Sequence, residues 1–114
     1  MKVFKFGGAS VKDAVGVKNI VRVLQHIGFK DTLIVVSAMG KTTNAMEKLI
    51  DAHWNNNKDL LKGMTRELKQ FHYDIMDELF LNRSSKVFND VDDVFDGLEE
   101  RFNRECSENY DFEY

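Results

Sequence analysis

One lysine inside an otherwise apolar segment carries the first chemical signal. The segment is Val3-Phe4-Lys5-Phe6-Gly7-Gly8-Ala9-Ser10. Lysine is depleted in β-strands, and an ammonium buried without a partner costs several kcal/mol. Lys5 is therefore expected to meet an anion rather than to serve packing. Gly7 and Gly8 lack side chains, so the backbone there can approach a ligand closely. Their N–H groups, with the N-terminus of a following helix, would cradle an anion, most simply a phosphate. A second loop of small and hydroxyl residues comes later: Ser37, Ala38, Met39, Gly40, Lys41, Thr42 and Thr43.

These loops need elements to hold them. Lys2–Phe6 alternates and reads as a strand. Gly7–Lys12 reads as a loop. Asp13–Ile27 has helical spacing, with Val17, Ile20, Val21, Leu24 and Ile27 on one stripe and Gly28 placed as a C-cap. Within Asp31–Ser37, the run Leu33-Ile34-Val35-Val36 is typical of a strand buried on both faces. Strand, helix, strand makes a βαβ unit with parallel strands over about residues 1–40. Both loops then follow strand carboxyl ends, where open α/β sheets bind ligands.

The remainder, about residues 42–106, reads as helical. Asn44 to about Trp54 is a short helix in which Asn44 and Glu47 resemble a capping box. Asn55-Asn56-Asn57 interrupts it. Lys58 to about Leu81 carries the stripe Leu61, Met64, Leu68, Phe71, Ile75 and Leu79. Asn82–Ser85 is a turn. Lys86 to about Cys106 turns Val87, Val91, Val94, Phe95, Leu98 and Phe102 inward. The last two form an antiparallel helical hairpin. The closing run Tyr110-Asp111-Phe112-Glu113-Tyr114 shows no turn or cap, and two strands are few for the helices they carry. A fragment of a longer protein is the expectation.

Bulk properties narrow the class. The 114 residues are 43% hydrophobic and 31% charged, which fits a soluble globular chain. No apolar run reaches the roughly 20 residues of a membrane span, and the start lacks a signal-peptide pattern. A single cysteine, Cys106, reads as a half-buried helix residue and suits a reducing, cytoplasmic setting. No His/Cys/Asp cluster has metal-ligand spacing. Residues 1–73 carry 12 Lys/Arg against 6 Asp/Glu, and residues 74–114 carry 4 against 13. The basic part is the part with the glycine pair, which suits an anionic ligand there and speaks against a nucleic-acid surface over the whole chain.

Each candidate also has a plain structural reading. Ser10 with Asp13 forms a possible capping box. Thr43 could cap the next helix in place of Asn44, and Ser37 could satisfy backbone groups at the strand end. Lys41 could be solvated. His26, His53 and His72 read as surface or interface residues. The glycine pair is neither a Walker P-loop nor a dinucleotide fingerprint, because the required following residues and spacing are absent.

The two loops together resemble one family. Phe4-Lys5-Phe6-Gly7-Gly8-Ala9-Ser10-Val11 closely resembles the opening of aspartokinases, within the amino acid kinase family. Val35-Val36-Ser37-Ala38-Met39-Gly40-Lys41-Thr42-Thr43-Asn44 resembles their second signature. Ala9 departs from the family's usual threonine. The resemblance implies the N-terminal part of a three-layer amino acid kinase domain of the carbamate kinase-like α/β type. It implies phosphoryl transfer from ATP, with Mg²⁺, to the β-carboxylate of L-aspartate, giving 4-phospho-L-aspartate. By that resemblance Lys5 is catalytic, stabilising charge on the transferring group. Lys5, Gly7, Gly8 and Ser10 bind ATP phosphates, and Ser37 and Thr43 hold aspartate. No protein metal ligand is expected in this chain.

The same resemblance implies further segments, ACT regulatory domains included, that this chain lacks. The isolated chain is therefore expected to be inactive, and its uncovered faces to favour self-association into a homo-oligomer. Another kinase of the same fold, acting on glutamate, acetylglutamate or a nucleotide, is the alternative enzyme. A non-catalytic helical interaction module is the alternative outside enzymology.

Overall fold

Valine and phenylalanine favour extended backbone, and Lys2–Phe6 form strand β1. The computed structural model describes residues 1–114. Thr32–Val36, β-branched except at Leu33, form β2. The two pair in parallel, in register from Lys2 opposite Thr32 to Phe6 opposite Val36. The Ser37 N–H donating to Phe6 O at 2.9 Å carries the pairing one residue further. Between the strands come a 3-10 turn at Gly8–Val11 and helix α1 at Ala14–Ile27. Asp13 sits in extended backbone and its carboxylate accepts from Gly16 N–H at 2.8 Å, capping α1. Gly28, at φ +91, ends the helix with its N–H on Leu24 O at 2.8 Å. The βαβ unit with parallel strands is as the sequence predicts.

Burial is not. The expectation that β2 is covered on both faces fails: Leu33, Ile34, Val35 and Val36 are all exposed, Val36 by 54%. Each strand has one neighbour in a two-stranded sheet, and the stripe of α1 is itself half open at Val21 and Ile27. An apolar run reports what the side chains prefer, and a two-stranded sheet supplies too little to cover them. Lys5 is exposed as well, so the cost of burying its ammonium does not arise.

The chain divides into two compact units, Met1–Thr43 and Asn44–Tyr114. Helix α2 spans Thr42–Trp54, α3 spans Lys58–Leu79 and α4 spans Lys86–Phe102. Within the second unit, Leu49 and Ala52 from α2, Leu61 and Leu68 from α3, and Phe95 from α4 form one buried cluster. Tyr73, Met76 and Phe88 form another. Early α4 thus meets late α3, and later α4 meets earlier α3, which makes the pair an antiparallel hairpin as predicted. The Tyr73 hydroxyl donates to Asp92, and Lys69 reaches the same carboxylate at 3.4 Å.

Several local expectations are corrected. The predicted capping box at Asn44 is not formed, because α2 begins at Thr42 and places Asn44 inside its first turn. Helix α4 stops at Phe102, so Cys106, though half buried, lies beyond it. Val94 points out, 63% exposed, while Phe88 is 3% exposed and takes an inward position the pattern missed. The stripe runs Phe88, Val91, Phe95, Leu98, Phe102, and Val94 falls beside it. His53 is buried rather than superficial, its ring 5.2 Å from that of Phe102 and its Nε2 without a partner.

The closing residues are capped after all. Tyr110–Glu113 form a short helix, α5, and Asn109 Oδ1 accepts from Asp111 N–H at 2.9 Å. Glu113 accepts from Ser107 N–H at 2.6 Å and pairs with Arg101 at 2.7 Å. These contacts, the Ser107 amide first, hold its carboxyl below the usual carboxylate range. The Tyr110 hydroxyl donates to Asp51, which pushes its pKa up to about 12. The Tyr114 hydroxyl donates to Glu47 at 2.9 Å. No helix is long and apolar enough to cross a membrane.

Candidate functional site

Parallel pairing brings the carboxyl ends of β1 and β2 side by side, so the loops that leave them must start together. They do more than start together. A methyl group at Gly8 would lie 2.9 Å from Gly40 O, 3.6 Å from Ala38 O and 3.8 Å from Ser37 Oγ. Gly8 and the segment Ser37–Gly40 are therefore in direct backbone contact. Gly40, at φ +55, turns the second loop. Thr42 then anchors it: its N–H and hydroxyl both donate to Met39 O, at 3.1 and 2.6 Å.

The first loop is held from its other side too. A methyl at Gly16 would lie 2.4 Å from Ser10 O, so the first turn of α1 packs directly on the loop backbone. The Ser10 N–H donates to Gly7 O at 3.0 Å, closing the turn. The predicted Ser10–Asp13 capping box is not formed, since Asp13 itself caps α1 through Gly16. Gly7 differs from its neighbour: a methyl there would meet nothing within 4 Å. A hollow of about 500 Å³ opens beside this loop, lined by Phe6, Ala9, Ser10, Lys12 and Asn19 among others.

Charge favours an anion in this unit. Residues 1–43 hold 7 Lys/Arg and 2 Asp/Glu. One of the two acids, Asp13, is occupied in capping, and the other, Asp31, lies 3.4 Å from the N-terminal ammonium. None of the seven side-chain cations is in an ion pair. Unpaired cations raise the local concentration of anions.

The predicted residues are placed as follows. Lys5 lies opposite Val35 in the strand register, one residue short of the Gly7 loop on its own strand. Gly8 and Ser37 are brought together, and Ser10 is in the turn that Gly7 opens. Thr43 is exposed in the first turn of α2, while its neighbour Thr42 makes the loop contact. No group of three or more His, Cys, Asp or Glu converges.

Sequence reasoning gave no role to Lys12, Gly16, Gly40 or Thr42. The signal for Gly16 was available. A glycine inside a helical pattern costs about 1 kcal/mol relative to alanine, and a close backbone approach is the usual reason to keep it.

The chain belongs to the amino acid kinase family: the model of that family matches residues 1–98. The parallel two-stranded sheet with its helices is α/β and consistent with part of that fold. A kinase of this family transfers a phosphoryl group, and the candidate site lies where the loops after β1 and β2 meet. No match to a curated protein or to a solved structure was found.

Proposed function

We propose that this chain is the N-terminal part of an aspartate kinase, acting with ATP on L-aspartate to give 4-phospho-L-aspartate and ADP. The observation that carries the reading is the backbone contact between Gly8 and Ser37–Gly40. It joins the Lys-Phe-Gly-Gly loop, common to many amino acid kinases, to the Ser-Ala-Met-Gly-Lys-Thr-Thr-Asn loop that resembles aspartokinases in particular.

The chemistry asked of these residues is positioning and charge stabilisation. A β-carboxylate oxygen attacks the γ-phosphorus in line, the new O–P bond forms, and the bond to ADP breaks. Lys5, solvated and unpaired, supplies a cation to the transferring group. Gly7 offers an amide to phosphate, and Ser10 supports its turn. Ser37 lies beside the reacting centre, and Thr43 binds the amino acid. Mg²⁺, when bound with ATP, neutralises phosphate charge.

ADP release in the presence of aspartate, glutamate, acetylglutamate or a nucleoside monophosphate tests the substrate. In a protein that extends this chain through the rest of a kinase domain, aspartate is the expected acceptor. Preference for another acceptor would refute the aspartate assignment. Lys5→Ala is expected to lower kcat by roughly 10²–10³ while leaving Tm unchanged, because the side chain is exposed and unpaired. Near-normal turnover would remove Lys5 from the mechanism. The 114-residue chain alone is expected to bind MgATP weakly and to turn over no aspartate.

A further inference from the structure

We propose that the hollow between the α2–α3 turn and the end of α4 is a second binding site, one for a small organic carboxylate with an apolar body. It measures about 420 Å³, within the range of small-molecule pockets. Every residue that lines it belongs to Asn44–Tyr114, so it draws on neither loop of the candidate kinase site. One of its walls, residues 102–106, lies beyond the residues 1–98 that match the family model.

The observation that points to a ligand is His53. This residue lines the hollow and is only 8% exposed. Its Nε2 is the one buried side-chain nitrogen or oxygen in the chain with no hydrogen-bond partner. Buried polar atoms normally find partners, and each exception asks for a reason. Glu113 is near enough to be influenced by His53, but its carboxylate is held by Ser107 N–H and Arg101 instead. The His53 backbone is also pinned. Its carbonyl accepts from Asn56 N–H at 3.1 Å and from Cys106 Sγ at 3.1 Å, one contact from each wall. The residue is thus fixed before any ligand arrives, which lowers the ordering cost of binding.

The chemistry around His53 selects the ligand. Lys58 lines the same hollow, is exposed and is in no ion pair. It opens the 22-residue helix α3, whose N-terminal dipole favours negative charge. The Asn57 side chain accepts from Leu60 N–H, which leaves the N–H groups of Lys58 and Asp59 free. Arg104, also in the lining, is shared with Glu100. Against these donors stand one carboxylate, Glu105, and the apolar surfaces of Leu61, Phe102 and Trp54. A phosphate dianion would be repelled by the first and would leave the second uncovered. A single carboxylate on an apolar body suits both. With its proton on Nε2, His53 donates to one carboxylate oxygen, and Lys58 with the first turn of α3 attracts the other.

The test follows amide and histidine-ring resonances of the 114-residue chain during titration with benzoate, benzamide, benzylammonium and inorganic phosphate. Benzoate is expected to shift the His53 ring and the Lys58 and Cys106 amides saturably, with a Kd of roughly 1 mM. The other three probes are expected to bind at least about tenfold more weakly. His53→Phe removes the nitrogen but keeps an aromatic ring. It is expected to weaken benzoate by about tenfold or more, while Tm holds or rises because an unpartnered polar atom is lost. Lys58→Gln, at an exposed position, is expected to weaken benzoate by about threefold or more. Equal binding of benzamide would overturn the carboxylate, and equal binding of phosphate would overturn the apolar body. Shifts confined to Met1–Thr43, or no saturable shift up to about 20 mM, would overturn the site. Undiminished affinity in a folded His53→Phe would remove His53 from it. Should His53→Phe fail to fold, the other two readouts decide: an unmoved His53 ring in the unsubstituted chain, or unchanged affinity in Lys58→Gln, refutes the assignment.

Discussion

In Asn44–Tyr114 the large apolar side chains find one another, and in Met1–Thr43 most of them do not. Leu49, Leu61, Leu68 and Phe95 are buried in one cluster, whereas Val3, Leu33, Val35 and Val36 stand exposed on the sheet. Charge divides the same way. The first unit holds seven unpaired side-chain cations, and the second pairs Lys69, Arg83, Lys86, Arg101 and Arg104 with carboxylates. The glycines divide too. Gly8 and Gly16 are pressed against backbone, while Gly63 and Gly97 in α3 and α4 face open space. The less covered unit is the one that carries the candidate site. Loops of binding sites are commonly drawn from the weakly buried part of a structure, and the two loops of the candidate site are held by close glycine contacts rather than by a core.

The comparison can be broken by mutation, beginning where the effect is largest. Phe95→Ala should cost the helical unit about 3–5 kcal/mol in urea unfolding, because it empties the centre of a buried cluster. Loss of less than about 1 kcal/mol would show that this core is not what holds the unit. Next come the glycines. Gly97→Ala should stabilise by about 0.5–1 kcal/mol, the ordinary helix preference. Gly16→Ala should do the reverse and destabilise by about 1–3 kcal/mol, since the methyl would meet Ser10 O at 2.4 Å. A stabilising Gly16→Ala would erase the distinction between the units.

The smallest effect is local and pH-dependent. Glu113 is held below its usual carboxylate range by Ser107 N–H and then by Arg101. A carboxyl lowered in the folded state contributes above its unfolded pKa, and that contribution is lost as pH falls through the folded value. The α5 tail should therefore be docked at neutral pH and release progressively below about pH 4.5, the unperturbed value. Fluorescence of Trp54, whose ring lies 5.5 Å from that of Tyr110, reports the docking. Glu113→Gln should abolish the pH dependence; an unchanged titration curve would show that Glu113 does not set it.

Much of this was legible in the sequence, for physical reasons. Periodicity located both strands and four helices, since period two and period 3.6 are backbone geometry. Asn57 and Gly28 marked true helix ends. Both loops could be placed because a glycine pair and a run of small and hydroxyl residues follow the two apolar strands. What the sequence could not state was coverage. Leu33–Val36 reads the same whether or not anything lies on it, so the exposure of β2 and of Lys5 needed the structure. Contacts distant in sequence were also hidden. Gly8 against Gly40 and Tyr110 against Asp51 join residues with no shared local pattern. The tail looked unstructured because Asn109 caps a helix of only four residues, too short to show a period.

A third contact distant in sequence, made by the half-buried Cys106, has a practical use. The chain's single thiol, Cys106, donates from Sγ to the backbone carbonyl of His53 at 3.1 Å, and burial pushes its pKa up. A thiol reacts as its thiolate, so alkylation at neutral pH is slow while the segment is seated. The rate of labelling then counts how often the residues after α4 lift away. That makes Cys106 a clock for the opening of the helical unit, readable by mass spectrometry without any added probe on the candidate site.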